Sequence, residues 1–245
     1  MMMVNSMEVD FSKQNDFPAL PLDELHIWQI STDISDAKLA EYKSALSENE
    51  LEKVSFFEFD KVKNSYIISQ GALRLLLSKY LDIPTSLVKL GRKEKGKPFS
   101  INDSGLYFNM SNSGELVVIA FSLGSEVGID IEKIRPLPDL EKMIVSNFTA
   151  NEIKFINGKP AEKSNRFFRF WTIKESYLKA IGEGMRLPPS NIEFTIEKNK
   201  VKQLSVKGVF EQEDWNFEEF TIAHDYVGTL TYSGKNITIK ELRIN

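Results

Sequence analysis

Two stretches of helical spacing, each set among short strand-like segments, constrain the fold more than any other feature of this chain. Over Asp60–Leu81, Tyr66, Leu73, Leu77 and Leu81 fall on one face at helical intervals. The second stretch runs from about Ala161 to Ile181. It carries Phe167, Trp171, Leu178 and Ile181 as an apolar stripe and stops at Gly182-Glu183-Gly184, a C-terminal signal. Around the first, Asp36–Leu46 reads as a further helix. His26–Ile30, Leu87–Leu90, Leu106–Met110 and Leu116–Ser122 read as strands. Around the second, Glu126–Glu132, Ile192–Ile196, Phe217–Ala223, Val227–Tyr232 and Ile237–Leu242 read as strands, with helical pieces at Asp139–Val145 and Ala150–Ile156. Such segregation predicts an α+β fold with meander-like strands rather than a parallel βαβ series. Residues 1–24 are polar, contain Pro18 and Pro21, and read as a loose lead-in. A boundary near Gly124-Ser125 divides the rest into two α+β halves, 25–124 and 125–245.

With 245 residues, 42% of them apolar, the chain can bury a substantial core. What it lacks narrows its chemistry. There is no Cys, hence no disulfide frame, thiolate nucleophile or zinc–thiolate site. The two histidines, His26 and His224, are far apart, which argues against a multi-histidine metal centre. A metal held by this chain would use carboxylate oxygens, a donor set suited to Mg²⁺. Acidic residues outnumber basic ones, 35 to 31, so no broad nucleic-acid or anionic-membrane surface is expected. Met1–Gln14 has no apolar core after a basic start, and the longest clean apolar run, Leu116–Phe121, is too short to span a bilayer. A cytoplasmic location is the expectation.

Three constellations carry possible chemistry. In Val127-Gly128-Ile129-Asp130-Ile131-Glu132, strand alternation puts the apolar residues on one face and both carboxylates on the other. A divalent cation would relieve their repulsion; the plainer reading is a half-buried strand with a wet face. In Trp171–Lys179, Glu175 and Lys179 lie one helical turn apart. They make either a surface ion pair or a site where Glu175 meets a metal or a proton and Lys179 a phosphate. The third combines the cationic turn Arg92-Lys93-Glu94-Lys95-Gly96-Lys97-Pro98 with Phe108-Asn109-Met110-Ser111-Asn112-Ser113. Charged turns are usually just solvated, but this one could hold phosphate. No histidine activates Ser111 or Ser113, so they read as phosphate donors or turn residues, not nucleophiles.

Taken in order, these motifs resemble the 4′-phosphopantetheinyl transferases, in the larger Sfp-type branch. The resemblance rests on Gly96-Lys97-Pro98, Phe108–Ser113, Gly128–Glu132 and Trp171–Lys179, with Asp130 and Glu175 45 residues apart, and covers roughly Leu51–Tyr232. It implies two similar α+β subdomains related by a pseudo-twofold, with the active site at their interface. It also implies Mg²⁺-dependent transfer of the phosphopantetheine arm of coenzyme A to a serine of an apo acyl or peptidyl carrier protein, by a monomer. Carried over residue by residue, Asp130, Glu132 and Glu175 match the metal carboxylates, and Glu175 and Lys179 the catalytic pair. Lys97, Lys179, Ser111, Asn112 and Lys53 match coenzyme-binding positions, and Glu152 a further acidic one. Two positions depart from the pattern: Asn112 stands where the family usually has His, and Ser65 where it usually has Arg. Lys61 or Lys63 would then substitute at the nucleotide end. The competing expectations are a non-catalytic relative that binds coenzyme A or a carrier protein, and an unrelated Mg²⁺ phosphotransferase, which leaves the motif order unexplained.

Overall fold

The computed structural model describes residues 7–9, 17–103, 105–197, 200–206 and 215–244. The lead-in carries a short strand, β1 (Met7–Val9), and β2 (Glu24–Ser31) follows. Helix α1 (Asp36–Ser44) starts at Ser35, whose hydroxyl accepts the Lys38 N–H. Helix α2 (Glu48–Ser55) starts at a reciprocal Ser47–Glu50 capping box. The long α3 (Asp60–Leu81) stops where Asp82 takes a left-handed conformation, φ 50°. Strands β3 (Leu90–Arg92) and β4 (Pro98–Ser100) form a small hairpin, and β5 (Leu106–Ser113) and β6 (Leu116–Leu123) complete the first half.

The second half opens with β7 (Val127–Lys133) and the short helices α4 (Leu140–Asn147) and α5 (Ala150–Asn157). The long α6 (Lys163–Ile181) comes next, ending at Gly182 with φ 72°. It is followed by β8 (Ile192–Glu197), β9 (Lys200–Val206), β10 (Trp215–Phe220), β11 (Tyr226–Ser233) and β12 (Thr238–Ile244).

The two larger sheets have the orders β1-β12-β2-β6-β5 and β10-β11-β7, and β3-β4 and β8-β9 form separate two-stranded pairs. In the first half a strand, a long helix and two strands are arranged so that the last strand, β6, lies between β2 and β5. In the second half β11, the last of its set, lies between β7 and β10 in the same way. The two halves therefore repeat one connectivity, each around a long helix.

Burial explains how they stack. Along β2 and β6 both faces are covered, so hydrophobic residues do not alternate with polar ones. Trp28, Ile30, Val117, Ile119 and Phe121 pack under α3, with Leu73, Leu76 and Leu77. Leu25, Ile27, Val118 and Ala120 point the other way and meet Val127, Ile129, Ile131 and Leu230 of the second sheet. On the far side, α6 closes a third core with Ile144, Ile156, Ile192 and Phe194. The order is helix, sheet, sheet, helix.

The α+β expectation is borne out, with local differences. The lead-in is less loose than its composition predicts: Met7–Val9 pairs with β12, and Val9, Phe17 and Leu20 join the first core; residues 1–6 and 10–16 lie outside the described set. The strand expected at Leu87–Leu90 begins only at Leu90, because Pro84 starts a 3₁₀ turn over Thr85–Leu87. The last strand, β12, runs parallel to both β1 and β2 and so returns to the first half's sheet. Among the described residues no helix is long and apolar enough to cross a membrane.

Candidate active site

Strand β7 sorts its side chains as expected. Ile129 and Ile131 enter the core between the sheets, while Asp130 and Glu132 face outward toward α6. The helix can close on this strand because position 128 is glycine. A Cβ there would collide with the Ser176 carbonyl oxygen and the Ala180 amide nitrogen. Small hydroxyls tie the same helix face to β11, with Thr172 Oγ1 3.0 Å from Thr229 Oγ1 and Ser176 Oγ 2.8 Å from Thr231 Oγ1. This close packing carries Glu175 and Lys179 onto Asp130.

Lys179 Nζ donates to Asp130 Oδ1 at 2.7 Å and to the Ile129 carbonyl at 3.1 Å. From β5, Ser111 Oγ donates to the same Oδ1 at 2.8 Å. The other oxygen, Asp130 Oδ2, is buried with no partner, and so is Glu175 Oε1. Burial pushes the Asp130 carboxyl above its usual range; Lys179 and Ser111 pull it back and Glu132 adds to the rise. Glu175 is also raised, first by burial and then by the negative charge of Asp130, with a further push from Glu132. The three acids expected to share a site therefore do sense one another, across elements far apart in sequence.

They do not form a ready-made cage. Among the described residues no group of three or more acids or histidines is placed to hold a metal. Glu132 is drawn to local donors instead: Ser113 Oγ at 2.7 Å and Arg135 Nη1 at 3.0 Å. The donor set nonetheless fits a hard divalent cation, because two anionic oxygens, Asp130 Oδ2 and Glu175 Oε1, are buried and unsatisfied.

Other expected residues are placed differently. Lys97, read as a phosphate ligand, is buried and uses its three donors on Glu126 Oε2 (2.6 Å), the Ala180 carbonyl (2.6 Å) and the Val127 carbonyl (3.1 Å). It closes the end of α6 by taking the Ala180 carbonyl, one of the last four of the helix, and is not free for a phosphate. Ser111 and Ser113, read as phosphate donors, direct their hydroxyls to the carboxylates of Asp130 and Glu132. Asn112 is exposed on the opposite face of β5, and its Nδ2 donates to Ser65 Oγ of α3 at 3.2 Å. Both line a cavity of about 560 Å³ with Tyr66 and Lys61. Lys53 stands at 4.9 Å over the Tyr66 ring. Glu152 caps α5 and pairs with Lys174 Nζ at 2.8 Å, both fully buried, so its role here is structural.

Sequence reasoning missed Lys174, Glu126 and Asn109. Asn109 Oδ1 accepts the Ile129 N–H at 3.0 Å and so fastens β5 to β7 one residue before Asp130. Its position in the Phe108–Ser113 motif, two residues from Ser111, was the available signal.

Residues 126–231 match the 4′-phosphopantetheinyl transferase superfamily, and residues 32–123 match a family described as 4′-phosphopantetheinyl transferase, N-terminal. A 4′-phosphopantetheinyl transferase from Nostoc sp., HetI, is 35% identical over 167 residues, 66% of this chain and 70% of that protein. The chain belongs to the 4′-phosphopantetheinyl transferase superfamily. The transferase gsp of Aneurinibacillus migulanus is 37% identical over 62% of this chain and 63% of its own length. The L-aminoadipate-semialdehyde dehydrogenase-phosphopantetheinyl transferase of Pongo abelii is 29% identical over 75% of this chain and 66% of its length. The matched stretches thus span about two thirds of these relatives. A transferase of this family, as the motifs implied, is borne out, and the two family matches fall on the two halves.

Proposed function

We propose that this transferase moves the phosphopantetheine arm of coenzyme A onto a serine of an apo carrier protein at the junction of β5, β7 and α6, with Mg²⁺ held by Asp130 and Glu175 and with Glu132 alongside. The observation that carries this reading is the meeting of two bare, buried carboxylate oxygens beside the Lys179 ammonium. A surface ion pair has no need of such an arrangement. Bound there, magnesium would screen the diphosphate and favour departure of the nucleotide.

The protein's own groups do the rest. The serine oxygen bonds to the phosphorus that bears pantetheine, and the bridging P–O bond breaks. Its electron pair leaves on adenosine 3′,5′-bisphosphate. Glu175, on the helix face turned to Asp130, is placed to accept the serine proton directly or through a water. Lys179, already held in place by Asp130 and the Ile129 carbonyl, offers its remaining donor to a phosphate oxygen. Repetition of one topology within a single chain supports action as a monomer.

The test is an intact-mass assay with Mg²⁺, coenzyme A and an apo carrier protein. The carrier is expected to gain the phosphopantetheine mass, and Glu175→Gln is expected to abolish the gain without lowering the melting temperature. Undiminished transfer by that variant contradicts the reading. Coenzyme binding without transfer to several carriers would identify a non-catalytic relative instead.

A further inference from the structure

On the face of β5 opposite the carboxylates, the 560 Å³ cavity opens between the first turns of α3 and the end of β5. Its polar lining is largely neutral, with Ser65, Ser69, Gln70 and Asn112 among it. Lys61 is the one cation among the described lining residues. The Asn112–Ser65 hydrogen bond joins strand to helix through two uncharged groups. Two other cations nearby are engaged elsewhere. Arg74 pairs with Glu50 and donates to the Val88 carbonyl, and Arg92 is turned to the Gly96 carbonyl. Lys53 lies over the Tyr66 ring. The first turn of α3 carries Asp60, which opposes an anion at that helix end.

Selective recognition of a phosphate monoester uses several fixed, charge-assisted donors, best a forked Arg guanidinium. A single exposed Lys61 supplies little of this. Neutral amides and hydroxyls suit a base and ribose hydroxyls instead.

We propose that this cavity takes the nucleoside end of the donor without requiring a phosphate on its ribose. Given the transfer reaction proposed for the site, 3′-dephospho-coenzyme A then donates the arm nearly as well as coenzyme A. The bonds change as before: the serine oxygen joins the pantetheine-bearing phosphorus and the bridging P–O bond breaks. Adenosine 5′-monophosphate leaves with the electron pair, and the serine proton goes to Glu175.

The test compares kcat/KM for the two donors with one apo carrier, and their dissociation constants by calorimetry. The wild-type preference for coenzyme A is expected to stay within about fivefold in both measures, the most a single exposed cation gives. Asn112→Arg and Ser65→Arg, each placing a guanidinium in the cavity, are each expected to raise that preference by about tenfold. A wild-type preference well beyond fivefold, or arginine variants that leave the ratio unmoved, overturns the assignment while transfer itself stands. Absence of transfer from either donor overturns the reaction instead, and the binding ratio still decides the cavity's selectivity.

Discussion

At the scale of single residues, the clearest pH sensor is His26, buried in the first core away from the active site. Trp28 Nε1 donates to Tyr80 Oη at 2.7 Å, so the Tyr80 hydroxyl is left to donate to His26 Nδ1, also 2.7 Å away. The ring is then neutral, with Nε2–H directed at Glu24 at 3.1 Å. Burial lowers its pKa; Glu24 opposes that shift and Lys240 adds to it. Between the unfolded value near 6.5 and the lower folded one, the unfolded chain binds more protons, so stability rises with pH in that window and is lost as pH falls through it. Thermal melts from about pH 7.5 to about pH 5 should therefore fall more steeply for the wild type than for His26→Gln. Equal slopes would contradict a neutral His26. Nothing in the sequence marked this cluster, because His26 and Tyr80 are 54 positions apart. For the same reason Lys174, beside Glu175 in the motif, gave no sign that it turns away to Glu152.

At the scale of elements, what was legible depended on length and periodicity. Helix α3 was bounded correctly because its apolar face persists for six turns. The eight-residue α2 was missed, although Ser47-Glu48-Asn49-Glu50 is a capping-box signature. Strand β5 runs three residues beyond the expected Met110. Ser111-Asn112-Ser113 looks like a turn in isolation, and these residues extend the strand because Asp130, Glu132 and Ser65 receive their hydrogen bonds. The junction of β7 and α6 depends on Gly128, where a methyl group meets helix backbone rather than a flexible side chain. Gly128→Ala should destabilise the fold by about 1–3 kcal/mol in urea titration and lower transfer as Glu175 moves off Asp130. An unchanged midpoint would mean the helix can retreat at no cost.

At the scale of the whole molecule, the two halves meet along β5 and β7, and the proposed site lies where they meet. Ser111 and Asn109 come from one half, Asp130 and Glu132 from the start of the other, and Glu175 and Lys179 from its long helix. All of these but Asn109 were named as candidates from sequence motifs. The motifs could not show that Lys97 closes the junction by binding Glu126 and two carbonyls, or that Ser65 and Asn112, 47 positions apart, share a hydrogen bond. Such pairings exist only once the halves are docked. The most direct measurement is a titration with Mn²⁺ as a paramagnetic probe, followed by electron paramagnetic resonance in the presence of coenzyme A. One ion per chain is expected, with Asp130→Asn and Glu175→Gln each weakening its binding by about tenfold or more. Binding that is equally tight in both variants would show that these two carboxylates hold no common ion.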